Sequence, residues 1–169
     1  MGLAAAVLSG FVLSLLAPWI SRITRGAAGL VLALLPLVLT VHFARLLGPV
    51  ASGRVLTETH PWAPSLGVAL SLRADGWSLL FALLICGVGA LVVVFADAYL
   101  AGHPRRGRFH AYLLFFMASM LGVVLADNLI ALYLFWELTT VSSFLLIGFY
   151  HDDAGSRAAA WQALLVTSA

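Results

Sequence analysis

The 169-residue chain is 63% hydrophobic and 9% charged, with a formal net charge of +2. Soluble domains carry roughly 25% charged residues, and disordered chains are poor in apolar ones, so both classes are excluded. What remains is an all-α polytopic membrane protein. At roughly 20 residues per span, the length accommodates five or six spans with short connections.

In chain order, the first apolar run covers 3–20 and ends at Arg22 and Arg25. Its positive charges follow the apolar stretch, whereas a secretory signal peptide places them before it. The run therefore reads as a retained first span. The second span covers 27–47, with Pro36 near its middle as an expected kink. Residues 48–73 break the pattern with Pro49, Gly53, Pro61 and Pro64 and read as an extracytoplasmic loop. Within it, the alternation of Leu66–Leu72 suggests a short strand or hairpin lying at the surface. The third span covers 76–100, and a basic loop containing Arg105, Arg106 and Arg108 follows it. The fourth span covers 109–126. Asp127 and Asn128 form a tight turn into the fifth, 129–150. After a turn at His151–Asp153, Ser156 is the expected N-cap of an apolar helix over 157–169. That helix is too short for a bilayer, so the sequence reads as the N-terminal fragment of a longer membrane protein.

All nine basic residues counted as Lys or Arg are arginines. With the N-terminus outside, Arg22, Arg25, Arg105, Arg106, Arg108 and Arg157 fall on the cytoplasmic side, and Arg45, Arg54 and Arg73 fall outside. The positive-inside bias favours this orientation. The arginines sit at span ends without interleaved aromatics, which gives no basis for nucleic-acid binding. Cys86 is the single cysteine, so an intrachain disulfide is excluded. It reads as a small lipid- or core-facing side chain. No phosphate-binding glycine loop, metal-ligand pair or activated nucleophile is present, and no cofactor or metal is expected.

Most ionisable residues lie near expected interfaces. Asp75, Asp97, His110, Asp127, Asp152 and Asp153 read as solvated span ends, and His42 as close enough to the end of its span to reach water. Trp19, Trp62 and Trp77 fit interfacial anchoring, while Phe135 and Trp136 read as packing or lipid contacts. Glu137 differs. It stands eight residues into the fifth span, about 12 Å deep at 1.5 Å per residue. A charged residue at that depth costs about 2.5–3.5 kcal/mol on insertion scales and marks ion or proton paths. Two readings follow: a proton carrier, or a protonated glutamic acid hydrogen-bonded within the bundle. Thr140, one turn on, and Asp127, at the head of the span, are the weaker candidates for the same path. No arginine lies at matching depth, so a charged partner would lie beyond residue 169 or in another subunit.

The stretch Arg108–Ile130 and its continuation Phe135-Trp-Glu-Leu-Thr-Thr-Val-Ser-Ser-Phe-Leu-Leu-Ile-Gly-Phe-Tyr resemble the proton-translocating antiporter-like subunits. Respiratory complex I and multisubunit Na+/H+ antiporters share that family. Asp75-Gly-Trp-Ser-Leu-Leu-Phe resembles the start of its third span, and Ala160-Trp-Gln-Ala-Leu-Leu-Val-Thr the start of its sixth. The Phe-Trp-Glu-Leu-Thr form is most similar to the large-subunit branch of Mrp-type antiporters. The resemblance covers about residues 60–169. It implies a bundle of about fourteen spans built from two inverted repeats with broken helices. It also implies that Glu137 pairs with a seventh-span lysine and that other membrane subunits are partners. H+ and Na+ would be the transported ions, in the plasma membrane. Two alternatives stand beside this one: a subunit of a redox-driven proton pump (NADH-quinone oxidoreductase or membrane-bound hydrogenase), and a truncated structural product that does not transport.

Overall fold

The computed structural model describes residues 1–24, 26–63 and 68–168, with Ala63 as backbone only. Six helices and one hairpin follow in the order α1 Leu3–Ile23, α2 Ala28–Ala51, β1 Leu56–Ala63, β2 Val68–Ala74, α3 Gly76–Tyr99, α4 Arg106–Leu125, α5 Leu129–Ile147 and α6 Ala154–Thr167. The first five helices are long and apolar enough to cross a membrane. Large apolar side chains such as Leu15, Leu91, Phe95 and Leu129 stand exposed along them. In water that pattern would be a liability; in hydrocarbon it is the solvated state.

Several ends differ from the sequence reading. α1 runs to Ile23 rather than 20, and α2 to Ala51 rather than 47. Pro49 stays inside the last turn of α2, and Gly53, at φ 88°, reverses the chain just beyond it. His42 is consequently more than two turns from the end of its helix. Its Nε2 is buried without a hydrogen-bond partner among the described residues, against the expectation that it reaches water. α4 begins at Arg106, three residues early, because the loop turns at Gly102 (φ 80°) and the basic residues continue into the helix. α5 closes at Ile147, where Gly148 is the C-cap and its N–H still bonds to Phe144 O, instead of running to 150. α6 begins at Ala154, not 157. Its N-cap is Asp153, whose carboxylate accepts from Ser156 N–H, in place of Ser156 itself.

The expected short strand at 66–72 is β2, shifted to Val68–Ala74; Leu66 and Gly67 lie outside the described residues, as does Arg25. Its antiparallel partner β1 has no counterpart in the sequence reading. The register runs from Leu56 opposite Ala74 to Pro61 opposite Ala69, with an irregularity between Pro61 and Ala63. Proline is tolerated because a two-stranded sheet has only edge strands. Nor does the hairpin merely lie on the surface. Leu72 and Ala74 are fully buried, and β2 touches α1, α3, α4 and α5.

Helices α1 to α4 close into a four-helix block: α1 packs on α2 and α4, and α3 packs on the same two. α5 packs on α4 and α6 on α5. Small residues set these crossings, as expected where van der Waals contact rather than water drives association. A Cβ at Gly10 would lie 2.8 Å from Ala118 Cβ, and one at Gly122 would enter the ring of Phe135. The core of the block is apolar, with Val7, Leu39, Phe43, Leu79, Cys86, Leu114 and Leu121 buried.

Candidate functional site

Glu137 lies mid-way along α5, eight residues after Leu129 and hence about 12 Å along the axis. It is half-buried and makes no hydrogen bond or ion pair among the described residues. α5 presents two faces. Phe135 and Ser142 are buried; Phe135 abuts Gly122 of α4 and stacks on Phe11 of α1 with centroids 6.4 Å apart. Glu137 is two residues, about 200°, around from Phe135. It falls instead on the stripe Glu137, Thr140, Phe144, Gly148, at i, i+3, i+7 and i+11. Phe144 of that stripe packs edge-on against Trp161 of α6 (5.4 Å), and Gly148 lies against Ala160. Glu137 and buried Thr140 therefore share the α6 side of α5. Ser142 is turned elsewhere, with its hydroxyl donating to Leu138 and Thr139 carbonyls of its own helix.

Asp127 is not part of this stripe. It sits at the head of α5, ten residues and about 15 Å from Glu137. There it lies 3.9 Å from Arg73 and accepts from Ser71 Oγ at 3.4 Å. Arg73 also pairs with Asp75 at 3.3 Å. Asp75 caps α3 by accepting from Ser78 N–H, and that bond, seconded by the Ser78 hydroxyl and Arg73, holds its carboxyl below the usual range. Asn128 caps α5 through Ala131 N–H and donates to Ala69 O of β2.

Two expected span-end residues are not solvated. Asp97 and His110 are buried near the opposite end of the block, where α3 and α4 approach their connecting loop. Arg106 Nε stands 3.3 Å and His110 Nε2 3.8 Å from Asp97 Oδ1. Gly29 of α2 faces Asp97 so closely that a Cβ there would collide with it. The charges are close, but that oxygen receives no aligned hydrogen bond, and neither ring nitrogen of His110 has a partner among the described residues. Their positions carry a usable signal: Asp97 and Arg106 flank one short loop between antiparallel helices, which brings opposite charges together. By contrast, Asp152 and Asp153 are solvated as expected. Arg105 bonds to Asp152 and holds its carboxyl low, and Ser156 N–H does the same for Asp153.

Residues 62–110 match the family model described as NADH-ubiquinone oxidoreductase (complex I), chain 5 N-terminus. Residues 126–169 match the one described as NADH:quinone oxidoreductase/Mrp antiporter, TM. Together they cover more than half of the chain. The chain is 47% identical over 133 residues to the Na(+)/H(+) antiporter A1 subunit of Staphylococcus haemolyticus, covering 79% of this chain and 17% of the relative. It is 43% identical over 164 residues to the corresponding Na(+)/H(+) antiporter A subunit of Alkalihalophilus pseudofirmus, covering 96% and 20%. It thus spans about a fifth or less of the length of these curated relatives. Among solved structures, the Mrp complex from Dietzia sp. DQ12-45-1b superposes with a TM-score of 0.82 at 31% identity, over 98% of this chain and 18% of that one. The archaeal membrane-bound sulfane sulfur reductase shares the fold, at a TM-score of 0.74 and 21% identity over 95% and 24%. The chain belongs to the antiporter-like membrane subunit family, and the two curated relatives above are A subunits of Na(+)/H(+) antiporters.

Proposed function

We propose that the chain is part of a membrane subunit of a multisubunit monovalent cation/proton antiporter, exchanging Na+ for H+, with Glu137 as a proton-relay residue. One observation carries this reading: in a chain similar to large antiporter subunits, the one acidic side chain at mid-span depth is left without a partner among the described residues. Desolvation favours the protonated carboxyl, and an approaching cation favours the carboxylate. A lysine beyond residue 169 or in another subunit, moving toward and away from Glu137, would switch it between the two. Thr140 on the same stripe is placed to hydrogen-bond a proton-carrying group; Asp127 serves at most as a mouth on the hairpin side. The subunit lies in the plasma membrane with its N-terminus extracytoplasmic, among other membrane subunits and lipid. The test is Glu137→Gln in the intact complex. It removes the ionisable group at constant shape, so Na+-dependent proton exchange in everted vesicles should collapse while the complex assembles at its normal level. Near-normal exchange would refute the assignment.

The match to the complex I chain 5 model favours a second reading, a redox-driven proton pump using the same glutamate. Exchange driven by an imposed Na+ gradient, with no electron donor present, separates the two.

A further inference from the structure

At the face carrying the α1–α2 and α3–α4 loops, the four-helix block opens into a cavity of about 660 Å³. Its wall includes Ser21 and Arg22 from the end of α1, and Arg105, Arg106, Gly107 and Arg108 from the start of α4. Two of these arginines are engaged: Arg105 with His151 and Asp152, and Arg106 with Asp97. Arg22 and Arg108 are exposed and have no ion pair among the described residues. The first turn of α4 has no side-chain cap, nor has that of α2, whose preceding Gly26 also borders the cavity. The first-turn amides of α4 are largely engaged, Arg105 N–H by His103 Nδ1, Arg106 N–H by His103 O and Arg108 N–H by Arg105 O, so what these helix starts offer an anion is chiefly the positive end of their dipoles.

A separate observation specifies what the anion must supply. Ser21 is only 9% exposed, and its hydroxyl, in the wall of this cavity, has no hydrogen-bond partner among the described residues. A buried hydroxyl left unpaired costs about 1–3 kcal/mol. A ligand with several acceptor oxygens would satisfy it and the two free guanidinium groups together. Beside the cavity, Trp19 and Ile23 of α1 stand exposed, an apolar flank on which hydrocarbon can lie. The geometry points to a site for the phosphate of an anionic phospholipid headgroup, held by Ser21, Arg22 and Arg108, with an acyl chain along α1. Basic pockets between spans are a recognised setting for such headgroups.

The intact complex is reconstituted in phosphatidylcholine vesicles containing a minor fraction of phosphatidylglycerol, and lipid retained at this subunit is read by native mass spectrometry. The wild type should retain phosphatidylglycerol preferentially. Arg22→Gln/Arg108→Gln should weaken that preference about thirtyfold, at roughly 1 kcal/mol per arginine. Ser21→Ala should weaken it less, without any change of charge. Arg45→Gln/Arg54→Gln, an equal charge loss at the other face, should leave it intact. Equal loss in that control, or an undiminished preference in the first double variant, overturns the site. If the double variant does not fold, Ser21→Ala alone decides, and an unchanged preference there refutes the proposal. Inorganic phosphate displacing the lipid at equal concentration would overturn the lipid assignment in favour of free phosphate.

Discussion

The four-helix block and the middle of α5 treat charge in opposite ways. In the block, carboxylates and arginines meet at helix ends. Asp97 faces Arg106 and His110, Asp75 pairs with Arg73 while capping α3, and Glu58 accepts from Leu3 N–H and Ala4 N–H at the head of α1. On α5, Glu137 stands alone at mid-span with no such partner among the described residues. Charges that hold this fold together sit in pairs where helices terminate. The charge proposed to do transport work sits where pairing is left open.

Substitutions at the two kinds of site should therefore separate cleanly. Glu137→Gln should cut cation-dependent proton exchange by about a hundredfold, the scale expected for removal of a proton-transfer group. The unfolding midpoint should not move; a large fall in stability would place Glu137 with the structural charges and erase the contrast. Asp97→Ala should do the reverse, destabilising by about 3 kcal/mol in equilibrium unfolding, because Arg106 is left half-buried beside no carboxylate. Gly122→Ala tests the junction between the two regions. Its new Cβ meets the Phe135 ring and should cost about 2 kcal/mol, most of it recovered by Phe135→Leu. Glu58→Gln keeps an acceptor oxygen but removes the negative charge at the head of α1, which should cost about 0.5 kcal/mol and flatten the acid limb of the stability profile. The bond to His60 is the first cause of the lowered Glu58 pKa, with the Ala4 and Leu3 amides adding to it. A carboxyl whose folded pKa is depressed contributes its stability above the unfolded pKa and loses it as pH falls through the folded one. Thermal unfolding followed from pH 7 down through the carboxylate range should show a larger loss in the wild type than in the variant, where Asp75, Asp152 and Asp153 still contribute.

The spans are legible in the sequence because a run of about 20 apolar residues has few alternatives once water is removed. Their ends are less so. Pro49 reads as a stop, yet helix continues to Ala51, and Asp153 outcompetes Ser156 as a cap because it stands three residues ahead of a free N–H. Glu137 stands out through depth alone, since burial cost does not depend on knowing the neighbours. Asp97 and His110 read wrongly as solvated because their burial comes from other helices, α2 for Asp97, whose side chain Gly29 admits, and the helices packed on α4 for His110; distance along one helix carries no trace of that. β1 escapes for a similar reason. Thr57, Glu58, Thr59 and His60 give no apolar alternation, and the strand exists because β2 is paired and anchored from the other side.

The hairpin ties together starting points that are distant in sequence. Glu58 grips the head of α1, Arg73 spans the heads of α3 and α5, and Ala69 receives Asn128. All three odd-numbered helices are thus pinned at one end by a single rigid clasp. Sliding one past another along the membrane normal would tear several of these bonds at once. Splaying at the far end breaks none of them, but it must part Arg105 from Asp152 and Arg106 from Asp97, so both ends of the bundle are cross-tied by charge.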